Sequence, residues 1–253
     1  MLIPYLGEKT KLSTFITPHI PTDIKNYIEP FGGVMGIFFS LNFMKFKDVK
    51  FIYNDFNSLN SNLFNQLKYN NDFIDQIKDI KVDKEFYSLT LKNLFNDKDE
   101  KQLAIDWLIV LTCSSMNKIG QDCWINDGEF EIFKLKFLAY KNLIDKIETI
   151  HNMDYKKIIS MYDSETSFFY LDPPYTTPMK DKDTGYIGGD DFDYDRLSEV
   201  LKKIKGKFLM SLNNSQYIKQ TFKNFKIKEV RIPINREPKF RKELLISNYD
   251  LHL

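Results

Sequence analysis

The chain has 253 residues, 43% of them hydrophobic and 15% aromatic, which suits one packed α/β core with an inserted or appended subdomain and excludes a disordered protein. Lys and Arg number 36 against 35 Asp and Glu, a net charge of +1, so attraction to a polyanion has to come from a local basic surface rather than a global field. Met1 to Lys11 has no signal-peptide core, no apolar run is long enough to span a membrane, and Cys113 and Cys123 lack paired Cys/His spacing, so the expectation is a cytoplasmic-type, soluble protein with reduced thiols and no metal.

In chain order, Asn26 to Phe31 reads as a short strand running into Gly32-Gly33-Val34-Met35-Gly36, and Ile37 to Met44 has the apolar density of a helix start. Glycines at such a turn accept positive φ and let backbone approach a ligand, as at the first crossover of nucleotide-binding α/β folds; a close-packing turn is the plainer alternative. The spacing is not Gly-x-Gly-x-x-Gly, so a nicotinamide cofactor is not expected. A second strand, Val49 to Asp55, ends in an acid some twenty positions on, suited to ribose hydroxyls or to capping a helix over Asn57 to Lys68.

Residues 56 to 150 read as mainly helical, with Leu103, Trp107, Leu108 and Leu111 at helical intervals. Within them, Asp127-Gly128 suggests a hairpin turn, with Trp124, Phe130, Lys134 and Lys136 nearby as nucleic-acid contacts or as a solvated face. A helix follows over about Leu138 to Ile147, then Asp154-Tyr155 before a helix over Lys156 to Tyr162, and the strand Phe168 to Leu171. Beyond lie a helix at Tyr194 to Lys203, a strand at Lys207 to Leu212, a helix at Ser215 to Phe222, and strands at Lys226 to Ile232 and Glu243 to Asn248. Strand and helix alternate at both ends of the chain, which favours one interrupted α/β sheet over two independent domains.

The stretch richest in chemistry is Asp172-Pro173-Pro174-Tyr175, directly after a buried aromatic strand. Such a strand delivers its loop to the carboxyl edge of a parallel sheet, where ligands bind. Two prolines fix φ and donate no backbone hydrogen bond, leaving a rigid loop with carbonyls free to accept from an amino group. The following loop, Thr176 to Phe192, carries Gly185, Gly188 and Gly189 and is long enough for a lid. Arg236, Lys239, Arg241 and Lys242 form the densest basic cluster, suited to phosphate contacts or to a solvated face.

Taken in order, Tyr5-Leu6-Gly7-Glu8-Lys9, Glu29-Pro30-Phe31-Gly32-Gly33, Asn54-Asp55, Asp172-Pro173-Pro174-Tyr175, Arg231, Arg236 and the run Glu243 to Tyr249 resemble the Dam-like adenine-N6 DNA methyltransferases along the whole chain. The resemblance implies a Rossmann-like methyltransferase sheet formed by residues 1–55 and 151–253, with an inserted helical and hairpin target-recognition subdomain at 56–150. It implies S-adenosylmethionine as methyl donor, bound by Tyr5, Lys9, Phe31, Gly32, Gly33, Asp55, Asp154, Tyr155 and Asp172. Catalysis would fall to Asp172, Pro173, Pro174 and Tyr175, and contacts to double-stranded DNA to Arg236, Lys239, Arg241, Lys242, Lys134 and Lys136. The expected role is site-specific methylation of a flipped adenine, in the cytoplasm or inside a host cell if a phage or virus encodes the chain. RNA or single-stranded DNA as substrate, a catalytically idle binding module of the same fold, and a restriction endonuclease or second copy as partner all stay open. The family usually places a further glycine where this chain has Met35, another at Glu8, and an Asn-Gly pair where Ser115-Met116-Asn117 stands.

Overall fold

The computed structural model describes residues 10–114, 128–175, 192–233 and 240–251. Seven strands form one sheet: β1 Asn26–Glu29, β2 Lys50–Asn54, β3 Ile147–His151, β4 Ser167–Leu171, β5 Lys207–Asn213, β6 Lys226–Pro233 and β7 Phe240–Ser247, in the order β3-β2-β1-β4-β5-β7-β6. The pairs from β3 through β5 are parallel, and β7 runs antiparallel between β5 and β6. This is the Rossmann-like α/β sheet that the alternation implies. Chain order reverses between β1 and β4, where ligands of open α/β sheets bind beyond the carboxyl ends.

The central strands are apolar on both faces, as strands covered on both sides must be. On one face Tyr27, Phe51, Tyr53, Phe168, Tyr170, Leu209 and Leu245 share a core with α1 (Thr10–Ile16) and the helices between β2 and β3. Those helices are α2 Ser58–Tyr69, α3 Phe73–Ile77, α4 Lys84–Lys92, α5 Glu100–Cys113 and α6 Gly128–Ile144. On the other face the intervening Ile28, Ile52, Phe169, Leu171, Met210 and Ile246 pack against α7 Tyr155–Tyr162, α8 Tyr194–Leu201 and α9 Gln216–Thr221. Trp107 of α5, buried in the first layer, donates its indole N–H to Asn60 Oδ1 of α2 at 2.9 Å, so its polar atom is satisfied inside the core.

Side-chain caps set the helix starts. Asn57, Asp83, Asp99, Asp154, Asp193 and Ser215 each accept a first-turn backbone N–H, worth about 1 kcal/mol apiece. Asn57, and not Asp55, therefore caps α2.

Three local expectations fail. Ile37 to Met44 is not a helix but two 3-10 turns, Phe38–Ser40 and Phe43–Lys45; Ser40 Oγ bonds Gly36 O and Asn42 Oδ1 accepts Met44 N, so local side-chain bonds displace helical ones. The hairpin expected at residue 128 is the start of α6, whose Phe130, Phe133, Phe137 and Ile144 follow helical spacing into the core. Asp127 and Trp124 lie outside the described residues. Finally, the helix expected to reach Ile147 ends at Ile144, and Ile147–His151 pairs with β2 as an edge strand.

Candidate functional site

The turn after β1 is bolted to the end of β2. Gly32 N donates to Asn54 O at 2.8 Å, Tyr53 OH to Gly33 O at 2.9 Å, and Gly33 N to Asp55 Oδ2 at 2.7 Å. A Cβ on Gly32 would sit 2.4 Å from Tyr53 Cε2, so only glycine lets the two segments come this close. Gly33 has φ 49° and Met35, where the resembled family has glycine, has φ 57° with its side chain buried. A methionine thus occupies a left-handed position that costs a non-glycine residue about 1 kcal/mol. Asp55 holds the Asn57 amide on Oδ1 at 2.7 Å as well, so its carboxylate braces the turn and the start of α2 together. Burial raises its pKa, opposed by the amides of Gly33 and Asn57. The Asn60 side chain bonds it too, and a carboxylate's acceptor sites are still not all filled.

Asn54 extends the brace sideways. Its amide donates to Pro30 O at 2.8 Å and Met153 O at 2.9 Å and accepts Met153 N at 3.0 Å, tying the β1 turn to the loop entering α7. That loop brings Tyr155 to Phe31. The Phe31 and Tyr155 rings lie 5.2 Å apart, and Phe192 lies 5.6 Å from Phe31 and 5.7 Å from Tyr155. Arg196 covers the other part of Tyr155 at 5.6 Å and faces Asp154 at 3.5 Å. Asp154 itself caps α7 through Lys156 N. These three rings pack on one another beside the turn after β1 and the start of α7.

Across the switch point stands a row of polar groups on one face of the sheet. Glu29, ending β1, is buried at 2% exposure; its Oε1 accepts Tyr27 OH at 2.7 Å and Phe38 N at 3.0 Å. Desolvation, partly offset by those two donors and reinforced by the charge of Asp172, pushes its pKa up to about 8. Asp172, one residue past β4, receives Ser211 Oγ on Oδ1 at 3.3 Å, and Ser211 Oγ in turn meets Tyr170 OH at 2.8 Å. Pro174 O is held by Tyr194 OH, which ties the proline loop to α8. Tyr175 OH donates to Glu243 Oε2 of β7 at 2.8 Å. The site therefore carries one fixed carboxylate, rigid carbonyls and a ring clamped through its hydroxyl.

The basic residues divide. Arg241 Nε lies 2.6 Å from Glu243 Oε1, and Lys242 Nζ 2.9 Å from Glu229 Oε1, both cations about half exposed. Lys136 is exposed on α6, whereas Lys134 turns inward, its ammonium on the carbonyls of Lys78 and Ile80 and on Glu131. Lys134 thus braces the helical layer. Tyr5, Lys9, Arg236 and Lys239 lie outside the described residues, as does the loop with Gly185, Gly188 and Gly189. Ser211, Phe192 and Tyr194 were not singled out from sequence as site residues. A serine interrupting the apolar run Phe208 to Leu212 was the available signal for the first. Among the described residues no cluster of three or more His, Cys, Asp or Glu could hold a metal, and no helix is long and apolar enough to cross a membrane.

A family model for D12 class N6 adenine-specific DNA methyltransferases matches residues 5–232. The type II methyltransferase M.MjaIII of Methanocaldococcus jannaschii is 26% identical, with 98% of this chain and 98% of that protein covered. Type II methyltransferase M1.LlaDCHI of Lactococcus lactis subsp. cremoris is 24% identical over 97% of this chain and 94% of its own length. Among solved structures, a SAM-dependent O-methyltransferase from Thermotoga maritima superposes with a TM-score of 0.41 at 11% identity, covering 96% of this chain and 66% of that one.

Proposed function

Because this chain belongs to the D12 class N6 adenine-specific DNA methyltransferases, we propose that it moves a methyl group from S-adenosylmethionine to the exocyclic amine of one adenine flipped out of a specific site in double-stranded DNA. Adenine-N6 methylation of DNA, with S-adenosylmethionine as donor, is the activity of the family. The flipped base, the duplex and the site specificity are the finer part of the reading. Its main support is the placement of Asp172: a carboxylate at the β1/β4 switch point, steadied by Ser211, beside the clamped ring of Tyr175.

The exocyclic amine of adenine is a weak nucleophile because its lone pair is delocalised into the ring. Asp172 accepts one amino proton and the carbonyl of Pro173 the other, which turns the lone pair out of the ring plane. The carbonyl of Pro174 already accepts the Tyr194 hydroxyl, which anchors the loop to α8. Tyr175 gives the base a stacking surface worth about 1–3 kcal/mol, which offsets part of the unstacking cost of a few kcal/mol. Alignment of amine and methyl group supplies much of the rate, with no covalent enzyme intermediate.

The residues present fit the cofactor. Phe31, Tyr155 and Phe192 are proposed as the aromatic face for its adenine, Gly32 and Gly33 as the backbone beneath it, and Asp55 as the acceptor for its ribose hydroxyls, supported by the ring cluster and by the closeness of Asp55 to the glycine turn. Bound there, S-adenosylmethionine supplies an electrophilic methyl sulfonium. For DNA, Arg241 and Lys242 are proposed as phosphate contacts, and residues 56–150 as the target-recognition segment, supported by Lys136 and Leu135 exposed side by side on α6.

The test is transfer of labelled methyl to unmethylated duplex DNA, followed by nucleoside analysis. N6-methyladenine is expected from the parent chain and none from Asp172→Ala, with both proteins melting alike. Methylation that persists in Asp172→Ala would overturn the assignment of that carboxylate.

A further inference from the structure

Glu243 sits in β7, opposite Asn213 of β5 and Val230 of β6, with no exposed surface. It opens the apolar run Leu244-Leu245-Ile246, at a position where a hydrophobic side chain would pack at no desolvation cost. A carboxylate there has surrendered its hydration, and two groups face it: Arg241 Nε, 2.6 Å from Oε1 as an ion pair that lacks hydrogen-bond geometry, and the hydroxyl of Tyr175, which donates to Oε2 at 2.8 Å. Arg241 is half exposed and supplies the counter-charge from the outer side. Tyr175 approaches from the inner side, out of the rigid Asp-Pro-Pro-Tyr loop, 68 residues away in sequence. Burial, together with the charges of Asp172 and Glu243, raises the Tyr175 pKa well above its ordinary value, so the hydroxyl stays a donor at neutral pH.

We propose that Glu243 is a positioning residue for methyl transfer: by accepting the Tyr175 hydroxyl it fixes the plane of the ring on which the target adenine stacks, with Arg241 balancing its charge. Without that bond the ring is free to rotate about its side-chain torsions, and the stacked base loses its alignment with Asp172. The inference rests on the adenine-N6 reading given above.

The experiment is a double-mutant cycle on the full chain, with Tyr175→Phe, Glu243→Leu, which has no acceptor for the hydroxyl, and their combination assayed for kcat, for KM toward DNA, and for S-adenosylmethionine affinity by calorimetry. Each single change is expected to lower kcat by about 10- to 100-fold while cofactor affinity and melting temperature hold, since misplacement of a reacting group costs on that scale. The combined variant is expected to be no slower than the worse single one, because both remove one and the same bond. Losses that multiply, or a Tyr175→Phe variant with the parent kcat, would overturn the role of Glu243 while leaving the methyltransferase reading in place. If Glu243→Leu lost its cooperative melt, Tyr175→Phe, which leaves the Glu243–Arg241 pair in place, decides alone by its kcat. A parent chain that makes no N6-methyladenine overturns both.

Discussion

Glu29 shows how one side chain ties stability to pH. Its carboxyl is buried, bonded to Tyr27 and Phe38, and holds its proton up to about pH 8, against 4.5 for an ordinary glutamate. Between those values the folded protein keeps a proton that the unfolded chain releases, so stability falls as pH rises through the window and levels off above it. Glu29→Gln keeps an acceptor for both donors and removes the ionisation. Its melting temperature should match the parent near pH 5 and exceed it at pH 8, the gap opening steadily between; equal slopes for the two proteins would show that the proton is not held. Asp172 and Tyr175 were legible in the sequence because the motif that contains them is contiguous. Ser211 and Glu243 were not legible as partners, since each meets the motif only through strand pairing 39 and 68 residues away.

At the level of elements, the strand–turn pairs were readable and the irregular pieces were not. β2 and β4 announced themselves by unbroken apolar runs, β5 by one broken at Ser211 and β1 by its place before the glycine turn, whereas β3 is a five-residue edge strand with Glu148 and Thr149 in its middle. The start of α6 was misread because a glycine after an aspartate outweighed the spacing of Phe130, Phe133 and Phe137, which carries the stronger physical signal. The glycine turn was placed correctly, but what makes it necessary appears only in three dimensions: the ring of Tyr53 lies where a side chain on Gly32 would be. Gly32→Ala should therefore push β1 off β2, destabilising the protein by about 1–3 kcal/mol in chemical denaturation. Cofactor affinity should drop with it, because Phe31 and Gly33 move too; an alanine variant with parental stability and binding would refute the close approach.

For the whole molecule, the alternation of strand and helix led to the right sheet. The helices between β2 and β3 turn out to share its core, since Leu63, Phe64, Trp107 and Phe133 pack in one cluster with Tyr27, Phe51 and Tyr53. Tryptophan fluorescence of a Trp124→Phe chain, which reports Trp107 in the helical layer, and far-UV circular dichroism, which reports the whole, should thus record one coincident unfolding transition; two separated transitions would mean that the layers are held independently. The order of the last three strands bears on how this sheet is assembled. β6 leaves the ribosome before β7, yet among the described residues the strand it pairs with is β7, and β7 also covers the edge of β5. Until residues 240–247 arrive, the nascent chain exposes the bare hydrogen-bonding edge of β5 and a strand with nothing to pair with, the kind of surface that chaperones shield. The strand that closes this gap is the one that carries Glu243, so the sheet and the clamp on Tyr175 are completed in the same late step.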